Sequence, residues 1–212
     1  MIDLHILNHA AATRPDWWQA CLASAQAAEA TGLVTLHLME GTGESIGANR
    51  AAAFRLGRHP FVAYLDNDDL LLPEALPALL QALTERPEVC GVYSDRMQID
   101  AHGKVLFTMR RSPWTPDWQL RQQDFPHMLA VYRREAVIPY LDLIASFTNY
   151  CEFVLCGLAT QFGPWLHVPV VAYQRREKDY YVNHVRRIAP DLARRARALV
   201  EPILLNRLHS NR

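Results

Sequence analysis

The sequence predicts an α/β fold: a mostly parallel sheet flanked by helices, with an amphipathic helix at the C-terminus. Three observations carry this expectation. Short runs rich in β-branched and aromatic residues alternate with helical stretches through brief links, the pattern of βαβ units. Half of the 212 residues are hydrophobic, enough for a sizeable core in one domain or one and a half. One apolar run, Val62-Ala63-Tyr64-Leu65, stops abruptly at Asp66-Asn67-Asp68-Asp69. That places carboxylates at the C-terminal end of a strand, the edge where open α/β sheets bind ligands.

Ile2–Leu7 reads as the first strand, ending at Asn8-His9. Pro15–Ala30 reads as a helix that starts near Thr13 or Arg14 and stops at Gly32. Leu33–Met39 is a second strand, leading to Glu40-Gly41. A turn through Gly41-Thr42-Gly43 then opens a small-residue helix, Ile46–Leu56. Phe61–Leu65 is the third strand. Pro73–Thr84 is a helix closed by Arg86-Pro87. Val89–Tyr93 and Val105–Arg110 read as strands, the second entered through Ala101-His102-Gly103, and 112–118 reads as a loop. An apolar helix around Asn149–Leu155 runs to Gly163. Ala189–His209 forms the last helix, with Leu192, Ala196, Leu199, Ile203 and Leu208 on one face and a kink expected at Pro202.

The formal net charge of zero conceals an asymmetry. Residues 1–174 hold 12 basic and 18 acidic side chains, whereas 175–212 hold 10 basic and 4 acidic ones. This divides the chain into an acidic body, 1–174, itself read as two halves, 1–100 and 101–174, and a basic extension with a helix, 175–212. Cysteines 21, 90, 151 and 156 all sit in apolar surroundings without a Cys-x-x-Cys spacing, which predicts buried free thiols. Ile2-Asp3-Leu4-His5 leads directly into a strand, and no apolar run approaches the ~20 residues of a membrane span. The expectation is a cytoplasmic protein, with peripheral contact to anionic membrane through the cationic face of the tail helix and, less favoured, contact with nucleic acid.

Crowded carboxylates repel one another unless a cation or hydrogen-bond donors neutralise them. Hard oxygen ligands at such an edge suit Mg²⁺ or Mn²⁺ held together with a diphosphate. A calcium EF-hand loop is excluded, because its sixth and twelfth positions, counted from Asp66, are Leu71 and Pro77. Asp68 or Asp69 could instead cap the following helix. An Asp-x-Asp phosphohydrolase dependent on Mg²⁺ stays open as an alternative, although such chemistry usually needs a phosphate-holding lysine and the chain has only Lys104 and Lys178. A non-catalytic sugar-nucleotide-binding module is the other alternative.

The order strand, glycine-rich turn, Gly47-Ala48-Asn49-Arg50 helix, then Leu65-Asp66-Asn67-Asp68-Asp69 resembles the nucleotide-binding half of family 2 glycosyltransferases of the GT-A (Rossmann-like) fold. Gly91-Val92-Tyr93-Ser94-Asp95, the stretch Met128–Ala136 and the Pro-containing run Val168–Arg175 resemble the family's later strands, so the likeness covers residues 2–180. It implies an inverting, metal-dependent transfer from a nucleoside-diphosphate sugar to an acceptor hydroxyl, on a saccharide or lipid-linked acceptor. By the same resemblance, Asn8, Glu40, Arg50 and Asp66 would hold the donor. Asp66, Asp68 and His184 would ligate the metal, and Glu152 would be the general base, with Asp95 next in line. At the family's acidic pair this chain has Cys151-Glu152, so one acid is replaced. Trp114 and His127 are the acceptor-side candidates, the tryptophan through stacking on a sugar face.

Overall fold

A computed structural model of the chain describes residues 1–8, 14–42, 45–122, 126, 129–177 and 190–210. It contains strands β1 (Ile2–Asn8), β2 (Val34–Glu40), β3 (Phe61–Leu65), β4 (Leu70–Leu71), β5 (Gly91–Ile99), β6 (Val105–Met109), β7 (Ala130–Arg133) and β8 (Trp165–Arg176). The helices are α1 (Pro15–Ala30), α2 (Ile46–Phe54), α3 (Leu76–Glu85), α4 (Pro116–Arg121), α5 (Arg134–Val137), α6 (Leu141–Ala145), α7 (Cys151–Ala159) and α8 (Pro190–Ser210).

One sheet runs β2-β1-β3-β7-β5-β8-β4, with β6 added to β5. The β1–β2, β1–β3 and β5–β8 pairs are parallel. Because β7 is antiparallel to both β3 and β5, those two strands point the same way. Thus β1, β2, β3, β5 and β8 share one direction, while β4, β6 and β7 oppose it. The expected α/β fold with a mostly parallel sheet is present. The antiparallel insert β7 was not legible, since a residue pattern encodes the face of a strand but not its direction.

Period-two alternation sorts β3 between the two faces of the sheet. Val62 and Tyr64 join a core with α2, α5, α6, α7 and α8, whereas Phe61, Ala63 and Leu65 join a core with α1 and α3. All four cysteines are buried free thiols, as expected.

Several expected boundaries change. The strand expected to end at Tyr93 continues to Ile99, because Ser94, Asp95 and Arg96 are buried on the sheet and keep pairing with β8. A short helix, α4, replaces the end of the expected loop. Thr115 caps it by accepting the Trp118 N–H at 3.1 Å, and Pro116 occupies its first turn. The helix after the acidic cluster opens as a 3₁₀ turn at Pro73–Ala75, and no side chain caps it. Neither Asp68 nor Asp69 is therefore a cap.

The division at residue 174 falls inside β8, and the basic extension is built into the body. Ala196, Val200 and Leu204 of α8 are fully buried in the core that contains α7, with Leu192, Leu199 and Ile203 packed beside them. Gly157 of α7 touches Val200 so closely that an added Cβ would overlap it. Arg195 donates to Ser146 Oγ at 2.8 Å and lies over the Phe147 ring, Arg197 donates to the Leu120 carbonyl, and Arg194 pairs with Asp191. The apolar face of the tail helix is covered by the core. Among the described residues, no helix is long and apolar enough to cross a membrane.

Candidate active site

Parallel register brings three of the expected donor residues to one edge. Asn8 at the end of β1 pairs in register with Glu40 at the end of β2, and Leu65, the last residue of β3, pairs with Ile6, so Asp66 follows at the same edge. The Asn8 amide donates to Glu40 Oε1 at 2.9 Å. Asp66 keeps 34% of its side chain exposed. It lines a cavity of about 100 Å³ with Leu7, Ile46, Arg50, Leu65 and Asn67.

Helix α2 delivers Arg50 to this cavity. Ser45 caps the helix by accepting the Ala48 N–H at 3.1 Å. Gly47 lets the first turn press onto the α6 end, where its N–H donates to the Phe147 carbonyl at 3.1 Å. A Cβ there would overlap the carbonyl oxygens of Ile144 and Phe147. Asn49 is buried and accepts from Thr42 N and Thr42 Oγ1 at 3.3 and 2.9 Å, which pins the glycine-rich turn to the helix.

Arg50 is only 4% exposed. Its guanidinium lies 3.4 Å over the Tyr64 ring, a cation–π geometry. Its Nη2 is 3.1 Å from Glu152 Oε1 and 3.6 Å from Asp66 Oδ1. Burial opposes the charge, but Glu152, Tyr64 and Asp66 together more than reverse that and hold the group cationic. Glu152 sits in the first turn of α7, and its Oε2 accepts from the Cys151 thiol at 3.0 Å. The residue before this helix, Tyr150, is left-handed at φ 64°. A bulky side chain rarely adopts that conformation, and here it turns the chain so that Glu152 faces Arg50.

The three aspartates of the cluster diverge. Asp69 is 2% exposed, accepts Tyr173 Oη–H at 2.8 Å and accepts the Arg176 N–H at 2.7 Å. Burial and then the Asp66 charge push its carboxyl well above the usual range. Arg176 Nε donates to the Asp68 carbonyl at 3.0 Å, and its Nη1 reaches the carbonyls of Asp100 and Ala101 at 3.2 Å. Tyr173 and Arg176 thus latch the acidic loop to β8. Asp68 is also buried. Asp66 is the carboxylate that faces the cavity.

Among the described residues no group of three or more His, Cys, Asp or Glu side chains forms a ready-made metal cage. A single open carboxylate still fits Mg²⁺ or Mn²⁺ in the mode that uses one or two carboxylates, waters and substrate phosphates. Asp66, open to the cavity, suits that mode. His184 and His127 lie outside the described residues.

On the acceptor side, Trp114 is half-buried against the α7–α8 core and donates its indole N–H to Gln119 Oε1 at 2.8 Å. Its neighbour Trp118 is exposed instead. Asp95 is buried and accepts from the Arg111 N–H at 2.7 Å, with His167 Nε2 at 2.8 Å from the same oxygen. Sequence reading missed Tyr173 and Arg176. The only local signal was an aromatic on the expected late strand and an arginine one residue past its end, and the Asp69 they share lies more than a hundred residues away.

The fold with this edge is GT-A-like, and sequence comparison agrees. The family described as Glycosyl transferase family 2 matches residues 27–140, and the chain belongs to it. The chain is similar to the O-antigen biosynthesis protein RfbC of Myxococcus xanthus, at 33% identity over 84 residues, 40% of this chain and 6% of that protein. It is also similar to the chondroitin synthase of Escherichia coli, at 23% over 132 residues, 62% of this chain and 19% of that one. Among solved structures, S. aureus TarS 1-349 in complex with UDP superposes with a TM-score of 0.66 at 12% identity, over 97% of this chain and 65% of that one. The TarS complex with UDP-GlcNAc gives 0.59 at 11% identity, over 84% and 59%. The chain thus spans a small part of the curated relatives, and the structural likeness establishes the fold.

Proposed function

We propose that this chain transfers a sugar from a nucleoside-diphosphate sugar to an acceptor hydroxyl, with inversion. The observation that carries the reading is Arg50, a buried cation bridging the donor-side carboxylate Asp66 and the acceptor-side carboxylate Glu152. Asn8, Glu40 and Asp66 hold the base and ribose at the sheet edge, and Arg50 faces the diphosphate. Asp66, with Asp68 and His184 in support, would hold Mg²⁺ or Mn²⁺, which supplies charge neutralisation for the leaving diphosphate. When the diphosphate draws Arg50 toward it, Glu152 Oε1 is released to take the proton of the acceptor hydroxyl. The acceptor oxygen then bonds to the anomeric carbon from the face opposite the diphosphate, whose C–O bond breaks as the nucleoside diphosphate leaves. Tyr64 beneath Arg50 and the buried walls of the cavity keep the charges in a low-dielectric setting, where they act strongly.

Family membership sets the phosphohydrolase alternative aside. The TarS complexes with UDP and UDP-GlcNAc support a uridine nucleotide as the first donor to try. The acceptor is a saccharide or a lipid-linked molecule. Among the described residues of the tail, any contact with anionic membrane rests on the exposed arginines of α8, since Ala196, Val200 and Leu204 of its apolar face are buried. The deciding experiment is thermal shift with UDP, GDP and inorganic phosphate, each with and without Mn²⁺. A nucleotide at 100 times its Kd stabilises by roughly 2.7 kcal/mol. The expected result is a UDP shift enlarged by Mn²⁺ and lost in Asp66→Asn, a variant that keeps the shape of a half-buried side chain. A Mn²⁺-enhanced shift that survives in Asp66→Asn would remove the metal role of this carboxylate, and no nucleotide shift at all would overturn the proposal.

A further inference from the structure

The two oxygens of Glu152 meet two different hydrogen-bond donors. Arg50 Nη2 lies 3.1 Å from Oε1, and the Cys151 thiol lies 3.0 Å from Oε2. The first donor is a cation that also approaches Asp66 Oδ1 at 3.6 Å, beside the cavity proposed to take the diphosphate. The second is neutral and fixed. Cys151 is fully buried, in the core that α7 shares with α2, α6 and α8. A carboxylate paired with a buried guanidinium accepts on both oxygens, so the hydrogen of the second contact is carried by sulfur. Burial, and then the Glu152 charge, push the thiol well above its usual range, which keeps that hydrogen in place.

Successive residues of a helix do not ordinarily face each other. Here the left-handed Tyr150, at φ 64°, starts α7 abruptly, and Cys151 and Glu152 form the beginning of its first turn. Helical side chains lean toward the N-terminus, so the longer glutamate reaches back to the thiol before it. The last torsion of a glutamate is broad and twofold, and a single contact leaves the carboxylate plane free to turn. Contacts to both oxygens fix that plane.

We infer that Cys151 is a positioning residue for the general base: its thiol holds Oε2, and with it the carboxylate plane, while Oε1 exchanges Arg50 for the acceptor hydroxyl. A thiol suits this task. It is a weak donor, so it orients the carboxylate and takes little of the basicity that proton transfer needs. A second cation in the same place would hold the carboxylate firmly and weaken it as a base. The proton passes from the acceptor oxygen to Oε1, and the sulfur neither gives up its hydrogen nor forms a bond. The inference rests on the reading of Glu152 as the base.

Infrared difference spectra between wild type and Cys151→Ala isolate the Cys151 S–H stretch from those of the remaining thiols. The expected band is displaced to low frequency by a charged acceptor, moves upward in Glu152→Gln, and stays low when UDP is bound. A band at the frequency of a free thiol, with or without UDP, overturns the inference. The companion measurement is UDP release from UDP-GlcNAc as the donor probe, with water in place of the acceptor hydroxyl. Cys151→Ala should lower kcat roughly tenfold at unchanged KM, the loss of one hydrogen bond to a charged group. Cys151→Ser keeps a donor and should recover most of that rate. A sulfur that only fills space gives the opposite order, because serine places a hydroxyl in an apolar core and alanine does not. Equal losses in the two variants, or a serine variant slower than the alanine one, overturn the inference while Glu152→Gln stays inactive. An active Glu152→Gln refutes the base itself, and the inference with it. If the wild type releases no UDP, the donor reading falls, and the S–H band of the free protein still decides whether the thiol holds the carboxylate.

Discussion

Glu152 and His5 show how single residues read differently once their neighbours are known. A carboxylate in an apolar helix suggested a general base, and its partner turns out to be Arg50 at 3.1 Å. Replacing it by glutamine keeps an oxygen for Arg50 but removes the proton acceptor. Glu152→Gln should therefore retain UDP binding and lower transfer by ~10²–10⁴-fold, the usual contribution of a general base, measured as kcat alongside nucleotide affinity. Full activity in that variant would move the base elsewhere. His5, in the first strand, has both ring nitrogens buried with no hydrogen-bond partner among the described residues. It stacks on His37 at a centroid distance of 4.9 Å. Burial first, then the neighbouring His37 charge, pushes its pKa from 6.5 down to about 3. The unfolded chain thus takes up a proton below pH 6.5 that the folded chain refuses until about pH 3. Stability is fully present above 6.5 and drains away as pH falls through that window, by at most about 1.4 kcal/mol per pH unit from this group. His5→Phe keeps the stack and cannot titrate. Its melting temperature should fall less between pH 6.5 and 4.5 than that of the wild type, and parallel curves would exclude His5 as the acid-sensitive group.

At the scale of the element, α2 is the part whose sequence and position agree most closely. Gly47, Asn49 and Arg50 were legible as a small residue and two polar ones after a glycine-rich turn, whereas the Ser45 cap came from the structure. The packing supplies the reason for each: Gly47 admits the α6 carbonyls, and Arg50, one turn later, reaches across to Glu152. Gly47→Ala should cost about 1–3 kcal/mol by overpacking against backbone that cannot rotate away. It should also impair nucleotide binding, since α2 would shift Arg50. Chemical denaturation with UDP calorimetry measures both, and an unchanged midpoint would show that α6 yields. Helix α4 was missed although Thr115-Pro116 carried a start signal, because six residues are too few to show a helical period.

Across the whole molecule, the basic C-terminal segment is part of the core. Burying an apolar side chain contributes ~1.5–3 kcal/mol, and α8 buries Val200 and Leu204 completely, with Ala196 between α8 and the core. Ending the chain before Pro190 should therefore lower the melting temperature steeply and expose the α7 surface around Gly157 to hydrophobic dye. A truncated chain that melts like the full one would show that the helix rests on the body without supporting it.

By itself the sequence determined the strands and helices that carry a period, the carboxylates at the end of the third strand, and the glycine-led helix that places Arg50 near them. These are local properties: side-chain alternation, propensity and caps depend on residues within one or two turns. Tertiary structure alone decided that Asp66 faces the cavity while Asp69 is latched by Tyr173 and Arg176, and that Arg50 meets Glu152 across 102 positions of sequence. It also decided that β7 runs against its neighbours and that the arginines after β6 enclose a cavity with Trp118. Each depends on which distant surface fills a given space, and no local pattern carries that information.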